Sequence, residues 1–135
     1  MGRSFVTPAI YLVDASTLID ASHRHGETRE RLMALLDGGN VVGICPVVTG
    51  EFLAGIALAD RGRWRQWLEA FTYWDISRSA AIQAGEWRYD FARQGVTLSL
   101  VDALIAAVAM DIDAVLVTSN VKHFPMTGIE LMSLR

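Results

Sequence analysis

An α/β fold built on a parallel sheet is what this sequence predicts, on three observations. Short apolar runs, the mark of strands buried on both faces, alternate with segments of helical spacing. The chain has 135 residues, the length of a single domain. Hydrophobic residues make up 52% of it and charged residues 20%, which supplies a core and excludes a disordered chain. No internal repeat, low-complexity tract or Pro/Gly-rich linker divides it, so residues 1–135 are read as one domain.

The elements follow in order. Ala9-Ile10-Tyr11-Leu12-Val13 is an apolar run stopped by Asp14, as suits a buried parallel strand. A helix starts over Ser16–Asp20, and His23 to Gly26 forms a loop. Leu32, Leu35 and Leu36 give Glu27–Leu36 a helical spacing, and Asp37-Gly38-Gly39-Asn40 stops it. Val41–Cys45 is a second buried strand, and Pro46 suits the first position of a helix running to Ala59. After a break at Asp60-Arg61-Gly62, Trp64, Trp67, Leu68 and Phe71 recur at one helix face. Trp74-Asp75-Ile76 reads as a short strand, Ser79–Gln94 as a long helix ended by Gly95, and Ser99–Met110 as a very apolar helix. Ala114–Val117 is another buried strand, and Ile129-Glu130-Leu131 a weaker edge strand.

Charge and cysteine content bound the function. There are 15 acidic and 12 basic residues, a net charge of −3, so this is not a protein that coats nucleic acid by bulk attraction. If three acids hold a cation, the remaining charges balance, and the net charge no longer speaks against a phosphodiester substrate. Cys45 stands alone, which excludes an intrachain disulfide and a multi-cysteine zinc site. The apolar runs stop short of a membrane span, and Asp14 interrupts the N-terminal one. The expectation is a soluble, cytoplasmic protein with no signal peptide and no membrane contact.

In parallel α/β sheets chemistry collects beyond the carboxyl ends of the strands. Asp14 directly follows the first strand there. Glu51 lies six residues after the second, early in its helix. Asp102 belongs to the first turn of the helix opened by Ser99, and Thr118-Ser119-Asn120 follows the strand ending at Val117. Three carboxylates gathered at one sheet edge repel one another unless protons or a cation intervene, and Mg²⁺ or Mn²⁺ is the natural partner for such oxygens. Each acid also has a plainer reading. Asp14 can cap a helix, Ser99 and Asp102 can form a capping box in its Asp variant, and Glu51 can be a favourable charge near a helix N-terminus. A capping carboxylate keeps lone pairs for a ligand role, and spacing does not separate these readings.

Four segments together resemble a known family. Leu12-Val13-Asp14-Ala15-Ser16-Thr17-Leu18-Ile19-Asp20, the stretch Cys45–Gly55 around Glu51, Val101-Asp102-Ala103-Leu104-Ile105-Ala106-Ala107, and the stretch Leu116–Phe124 look like the four motifs of PIN-domain proteins, in their order and spacing. The VapC-type toxins of prokaryotic toxin–antitoxin operons are the most similar branch. The resemblance implies a three-layer α/β/α fold with a central parallel sheet, and Mg²⁺- or Mn²⁺-dependent cleavage of RNA. It implies that Asp14, Glu51 and Asp102 form the acidic metal site. Ser16 and Thr118 then support it, as hydroxyls that orient the carboxylates or a metal-bound water. It also implies a cognate antitoxin whose C-terminal segment covers the site, and a toxin homodimer. The family often carries a fourth acid where this chain has Asn120; a neutral amide weakens a second cation site but still holds a water or contacts a phosphate.

Other polar groups carry lesser expectations. His23 and His25 sit in a polar loop and are read as surface residues. His123 follows Asn120 closely, within reach of RNA near the site. Cys45 is read as a small core residue. Arg61, Arg63 and Arg65 alternate with Trp64 and Trp67, either as an RNA-stacking surface or as a solvated Arg face behind a buried Trp face. The latter is favoured by the helical spacing of the aromatics. A partly exposed aromatic stripe would instead meet the antitoxin or a second subunit. Against the endoribonuclease stand a non-catalytic module that binds RNA or protein, and a haloacid-dehalogenase-type phosphatase. The phosphatase wants a second Asp where this chain has Ser16.

Overall fold

The computed structural model describes residues 9–23 and 26–135. Strands β1 (Ile10–Val13), β2 (Val41–Ile44), β3 (Thr72–Tyr73), β4 (Val115–Val117) and β5 (Glu130–Met132) form one parallel sheet in the order β3-β2-β1-β4-β5. Helices α1 (Ala15–Ser22), α2 (Thr28–Asp37), α3 (Pro46–Ala54), α4 (Arg61–Leu68), α5 (Arg78–Arg93) and α6 (Leu100–Asp111) flank it. Successive strand residues point to opposite faces, and Leu12 and Val13 are both fully buried, as are Leu116 and Val117. Both faces of the sheet are therefore covered, which gives the expected three layers. Burial of α6 nearly all round, through Ala103 and Ile105–Ala109, explains its continuous apolar sequence. It packs along α5 and against β4.

The strand order positions the site. The chain builds β1, β2 and β3 to one side, then adds β4 and β5 on the other side of β1. The order reverses between β1 and β4, so the connections leaving these two strands diverge and open a crevice at their carboxyl ends. Val13 pairs with Val117, and the Asp14 N–H donates to the Val117 carbonyl at 2.8 Å, which extends the ladder to the first residue of the crevice.

Several element boundaries differ from the sequence reading. Helix α3 ends at Ala54, not Ala59: the Gly55 N–H folds back on the carbonyls of Phe52 and Leu53, and a separate 3₁₀ turn follows over Leu58–Asp60. Gly62, read as part of a break, lies inside α4, and Phe71 lies beyond that helix after a turn, though still in the core. The third strand is Thr72–Tyr73, not Trp74–Ile76. Both of its residues are exposed at the sheet edge, so the apolar signal that marks buried strands is absent there. The true pairing depends on Gly43, where a Cβ would stand 2.3 Å from the Thr72 carbonyl oxygen and 2.4 Å from the Trp74 ring. Helix α5 opens one residue earlier than Ser79, with Ser77 Oγ accepting from the Ala80 N–H, and Gly95 at φ 79° closes it.

Candidate active site

The crevice beyond β1 and β4 is a cleft of about 300 Å³ that brings together Asp14, Glu51, Asp102, Asn120, Ser16 and His123. Asp14 is the first residue after β1 and the N-cap of α1, so one carboxylate serves as cap and as cleft wall. Its Oδ1 accepts from the Ala15 N–H at 2.7 Å. Its Oδ2 accepts from Ser16 Oγ at 3.0 Å and from Thr118 Oγ1 at 2.7 Å. Asp14 and Thr118 are both buried, where a carboxylate persists only when its lone pairs are matched by donors. The hydroxyls are matched in turn. Ser16 Oγ accepts from the Ser119 N–H and Thr118 Oγ1 from the Asn120 N–H, each at 3.0 Å. The loop after β4 is thus tied to Asp14 directly through Thr118 Oγ1 and indirectly through Ser16 Oγ. Thr17, also buried, donates to the Val117 carbonyl from the same turn.

Glu51 and Asp102 are held differently. Asp102 sits in the first turn of α6, whose cap Ser99 accepts from the Asp102 N–H at 3.0 Å. Burial raises the pKa of its carboxyl above the ordinary value, Asp14 adds to the rise, and Ser99 and His123 oppose it. His123 Nδ1 lies 3.5 Å from Asp102 Oδ2. Glu51 is exposed as a residue, yet desolvation of its carboxyl comes first among the influences raising its pKa, followed by the charges of Asp14 and Asp102. It lies in the second turn of α3 and not the first, too far along to serve as the N-terminal charge considered from sequence. All three acids line one cleft without closing on a point. Among the described residues no three acidic, histidine or cysteine side chains converge tightly enough to enclose an ion. The donor set is carboxylate, amide and hydroxyl oxygen, which fits a hard divalent cation and not a soft one.

Every residue singled out for the site from sequence therefore lines this cleft or, in the case of Thr118, buttresses Asp14 from behind it. Sequence reasoning passed over the second row. Ser119 Oγ donates to Asp20 Oδ2, and Asp20 is paired with Arg135. A helical spacing of four between Ser16 and Asp20 was the available signal for a shared face. His23 is exposed and lies at the end of α1, and His25 lies outside the described residues. Cys45 is fully buried at the start of α3, and burial pushes its thiol up to about 11, which keeps it protonated and inert at neutral pH. Arg61, Arg63 and Arg65 are exposed, while Phe52, Trp64, Trp67 and Phe71 form a chain of edge-to-face and tilted aromatic contacts at 5.2–5.9 Å. Trp64 and Trp67 are only half-buried, and they open on a groove they share with Arg29, Met33 and Arg63.

The fold and this cleft define a class: an α/β protein with an acidic site at the switch point of a parallel sheet. Residues 11–127 match the PIN domain. The chain belongs to the PIN-domain family. It is 30% identical over 119 residues to "Ribonuclease VapC19" of Mycobacterium tuberculosis, across 85% of this chain and 92% of that one. In structure it is similar to VapBC2 from Rickettsia felis, solved bound to a DNA fragment from the promoter, with a TM-score of 0.82, 23% identity and coverage of 93% and 99% of the two chains. It is also similar to a chain of a toxin–antitoxin complex from Klebsiella pneumoniae, with a TM-score of 0.73, 26% identity and coverage of 88% and 94%. The phosphatase reading falls away with this membership. No helix among the described residues is long and apolar enough to cross a membrane.

Proposed function

We propose that this protein is an endoribonuclease, the toxin of a toxin–antitoxin pair, and that it hydrolyses RNA phosphodiester bonds in the acidic cleft with Mg²⁺ or Mn²⁺. The observation that carries this reading is the gathering of Asp14, Glu51 and Asp102 in one cleft, with the last two raised in pKa and no Lys or Arg among the residues that line it. The name of the M. tuberculosis relative and the nature of the K. pneumoniae complex support the ribonuclease and the antitoxin. A cytoplasmic location and a homodimer belong to the same reading. A non-catalytic binding module would have no use for three carboxylates gathered in one cleft, two of them raised in pKa by burial and by neighbouring charge.

Asp14, Glu51 and Asp102 would hold the cation. The chemistry such a cation would supply is polarisation of a phosphoryl oxygen and activation of water near neutral pH. Ser16 and Thr118 fix the Asp14 carboxylate through its Oδ2, which leaves the remaining lone pairs of the carboxylate in one orientation. Asn120 lines the same cleft with a neutral amide whose NH₂ can donate to a phosphate oxygen. His123 faces the same cleft from the side of Asp102.

Protein freed of antitoxin is expected to cut RNA internally with Mg²⁺ or Mn²⁺, and chelation to stop it. Asp102→Asn is expected to slow cleavage by about 100-fold or more, the scale on which charge stabilisation at a reacting centre acts. Cleavage that continues undiminished in EDTA sinks the proposal. A binding module would hold RNA without cutting it. The antitoxin is expected to present a Lys or Arg to the carboxylates in place of the cation; if removing that side chain leaves inhibition intact, the antitoxin works elsewhere.

A further inference from the structure

Behind the cleft lies a second row of polar groups that the chemistry above does not use. Asp20 is on α1, one turn beyond Ser16 and on the same helix face. Its Oδ2 accepts from Ser119 Oγ at 2.5 Å and from Arg135 Nε at 2.9 Å, and its Oδ1 accepts from Arg135 Nη2 at 3.2 Å. Ser119 has a second tie: its backbone N–H donates to Ser16 Oγ, and Ser16 donates to Asp14 Oδ2. Next to it, the Asn120 N–H donates to Thr118 Oγ1, which donates to the same Oδ2. The segment that carries Arg135 is fixed independently, with Arg31 Nη1 donating to the Leu134 carbonyl at 2.8 Å. A continuous line of hydrogen bonds therefore runs from Arg135 through Asp20 and Ser119 to the two hydroxyls that orient Asp14.

We propose that Asp20, held by Arg135, is a positioning residue for the reaction: it fixes Ser119 and so sets the Ser16–Thr118 hydroxyl pair on the Asp14 carboxylate. This rests on the ribonuclease reading of the same cleft. The chemistry explains why a carboxylate is needed. Three donors converge on the two oxygens of Asp20, and an amide would have to turn its NH₂ toward at least one of them. An amide that turns its NH₂ to Ser119 takes that acceptor away, and one that keeps its oxygen there meets Arg135 Nη2 with a donor. Either way the clamp on the Ser119 side chain loosens, and the loop after β4 loses the anchor that keeps its N–H groups on Ser16 and Thr118. Neither Asp20 nor Ser119 lines the cleft, so substrate contacts remain as they were. Groups that orient ligands from behind are typically worth about 10–100-fold in activity.

The test is a kinetic cycle with an exchange readout on the full chain. Asp20→Asn and Ser119→Ala are each expected to lower kcat at least tenfold with KM for RNA within twofold. The double variant should be no worse than the more damaged single one, because both remove one shared contact. Ser119→Ala leaves the Asp20–Arg135 pair in place, so it answers the question even if Asp20→Asn folds poorly. Amide hydrogen exchange is followed in the same proteins without RNA or metal. In Asp20→Asn the Ser119 and Asn120 amides should exchange at least fivefold faster, while the Leu116 amide of β4 stays as in the parent. Additive losses, a kcat equal to the parent's, or unchanged exchange at Ser119 and Asn120 overturns the positioning role. A parent protein that cuts no RNA overturns the ribonuclease reading instead, and the exchange rates then decide by themselves whether Asp20 fixes the loop.

Discussion

Asp14 and Glu51 line one cleft and are held in opposite ways. Asp14 is buried, with three donors aimed at its two oxygens. Glu51 is exposed, and what acts on its carboxyl is partial desolvation and the charges of two other acids. Asp102 falls between them, part-buried, capped through its own N–H and with His123 alone as an opposite-charge neighbour when that imidazole is protonated. The β1–β4 side of the site is fixed in advance by hydrogen bonds, and the α3–α6 side is left under repulsion. Such a division suits a site completed by a cation. With a cation bound there, Asp14 would be oriented in advance, and Glu51 and Asp102 would gain most from the charge that arrives.

The largest expected effect erases the contrast in activity while keeping it in stability. Asp14→Asn and Glu51→Gln should each lower RNA cleavage by about 100-fold or more, because both remove charge from the reacting centre. Their folding should differ. Asp14→Asn takes the charged acceptor from both the Ser16 and Thr118 hydroxyls and turns an NH₂ toward either them or the Ala15 N–H, and it should cost roughly 1–3 kcal/mol in urea unfolding without metal. Equal stability losses in the two variants would mean that the two halves are not held differently.

Thr118→Val sharpens the point at a residue that stays out of the cleft. It removes a buried donor to a carboxylate and an acceptor for the Asn120 N–H, and it should cost about 1.5–3 kcal/mol, the range for hydrogen bonds to charged groups. Ser99→Ala on the other side removes only the cap of α6 and should cost about 1 kcal/mol. If Ser99→Ala proves the more damaging of the two, the hydroxyl network around Asp14 is not what holds the cleft.

Much of this was legible in the residues, for reasons that can be named. The strands ending at Val13 and Val117 announce themselves because both are buried on two faces, so their sequences are unbroken apolar runs. Asp14, Asp102 and Thr118 follow from counting along those runs and from the cap signal of Ser99. Thr72–Tyr73 was not legible: an exposed two-residue edge strand leaves no pattern, and its register depends on a close approach to Gly43 that only three dimensions reveal. The end of α3 was hidden because Ala57 to Ala59 have helical composition, while Gly55 already stops the helix. Asp20 was hidden in another way. Its partners Ser119 and Arg135 lie 99 and 115 residues away, and no local spacing reports a contact at that distance in sequence.

The pH dependence of folding separates the same two regions. Glu51 and Asp102 have raised pKa values in the folded protein. Between their ordinary values and the raised ones, the folded chain binds more protons than the unfolded one, so their contribution to stability falls as pH rises through that window. Asp20 acts with the opposite sign. Arg135 lowers its pKa, so its contribution is complete above the ordinary carboxylate range and is lost as pH falls through the lowered value. In metal-free protein the loss above about pH 4 should disappear in the double variant Glu51→Gln, Asp102→Asn, while the loss in more acidic solution should remain. An unchanged profile in that variant would show that neither burial nor neighbouring charge raises the two carboxyls in the folded protein.

The smallest effect is the most specific to the repelled half. Glu51 is exposed, and substitutions at exposed positions change stability by no more than about 0.5 kcal/mol; the sign carries the information. Without metal, Glu51→Gln removes one of three like charges and should raise stability by a few tenths of a kcal/mol. Adding Mg²⁺ should stabilise the parent by roughly 2.7 kcal/mol at a hundredfold excess over its dissociation constant, and the variant by much less at the same concentration. The parent should therefore be the less stable protein in EDTA and the more stable one in saturating Mg²⁺. The measurement is urea unfolding of both at fixed ionic strength across a Mg²⁺ series. The crossing requires a ligand and a source of repulsion in the same carboxylate. A merely solvated Glu51 would give two parallel lines, and a Glu51 important to the fold would leave the variant less stable at every Mg²⁺ concentration.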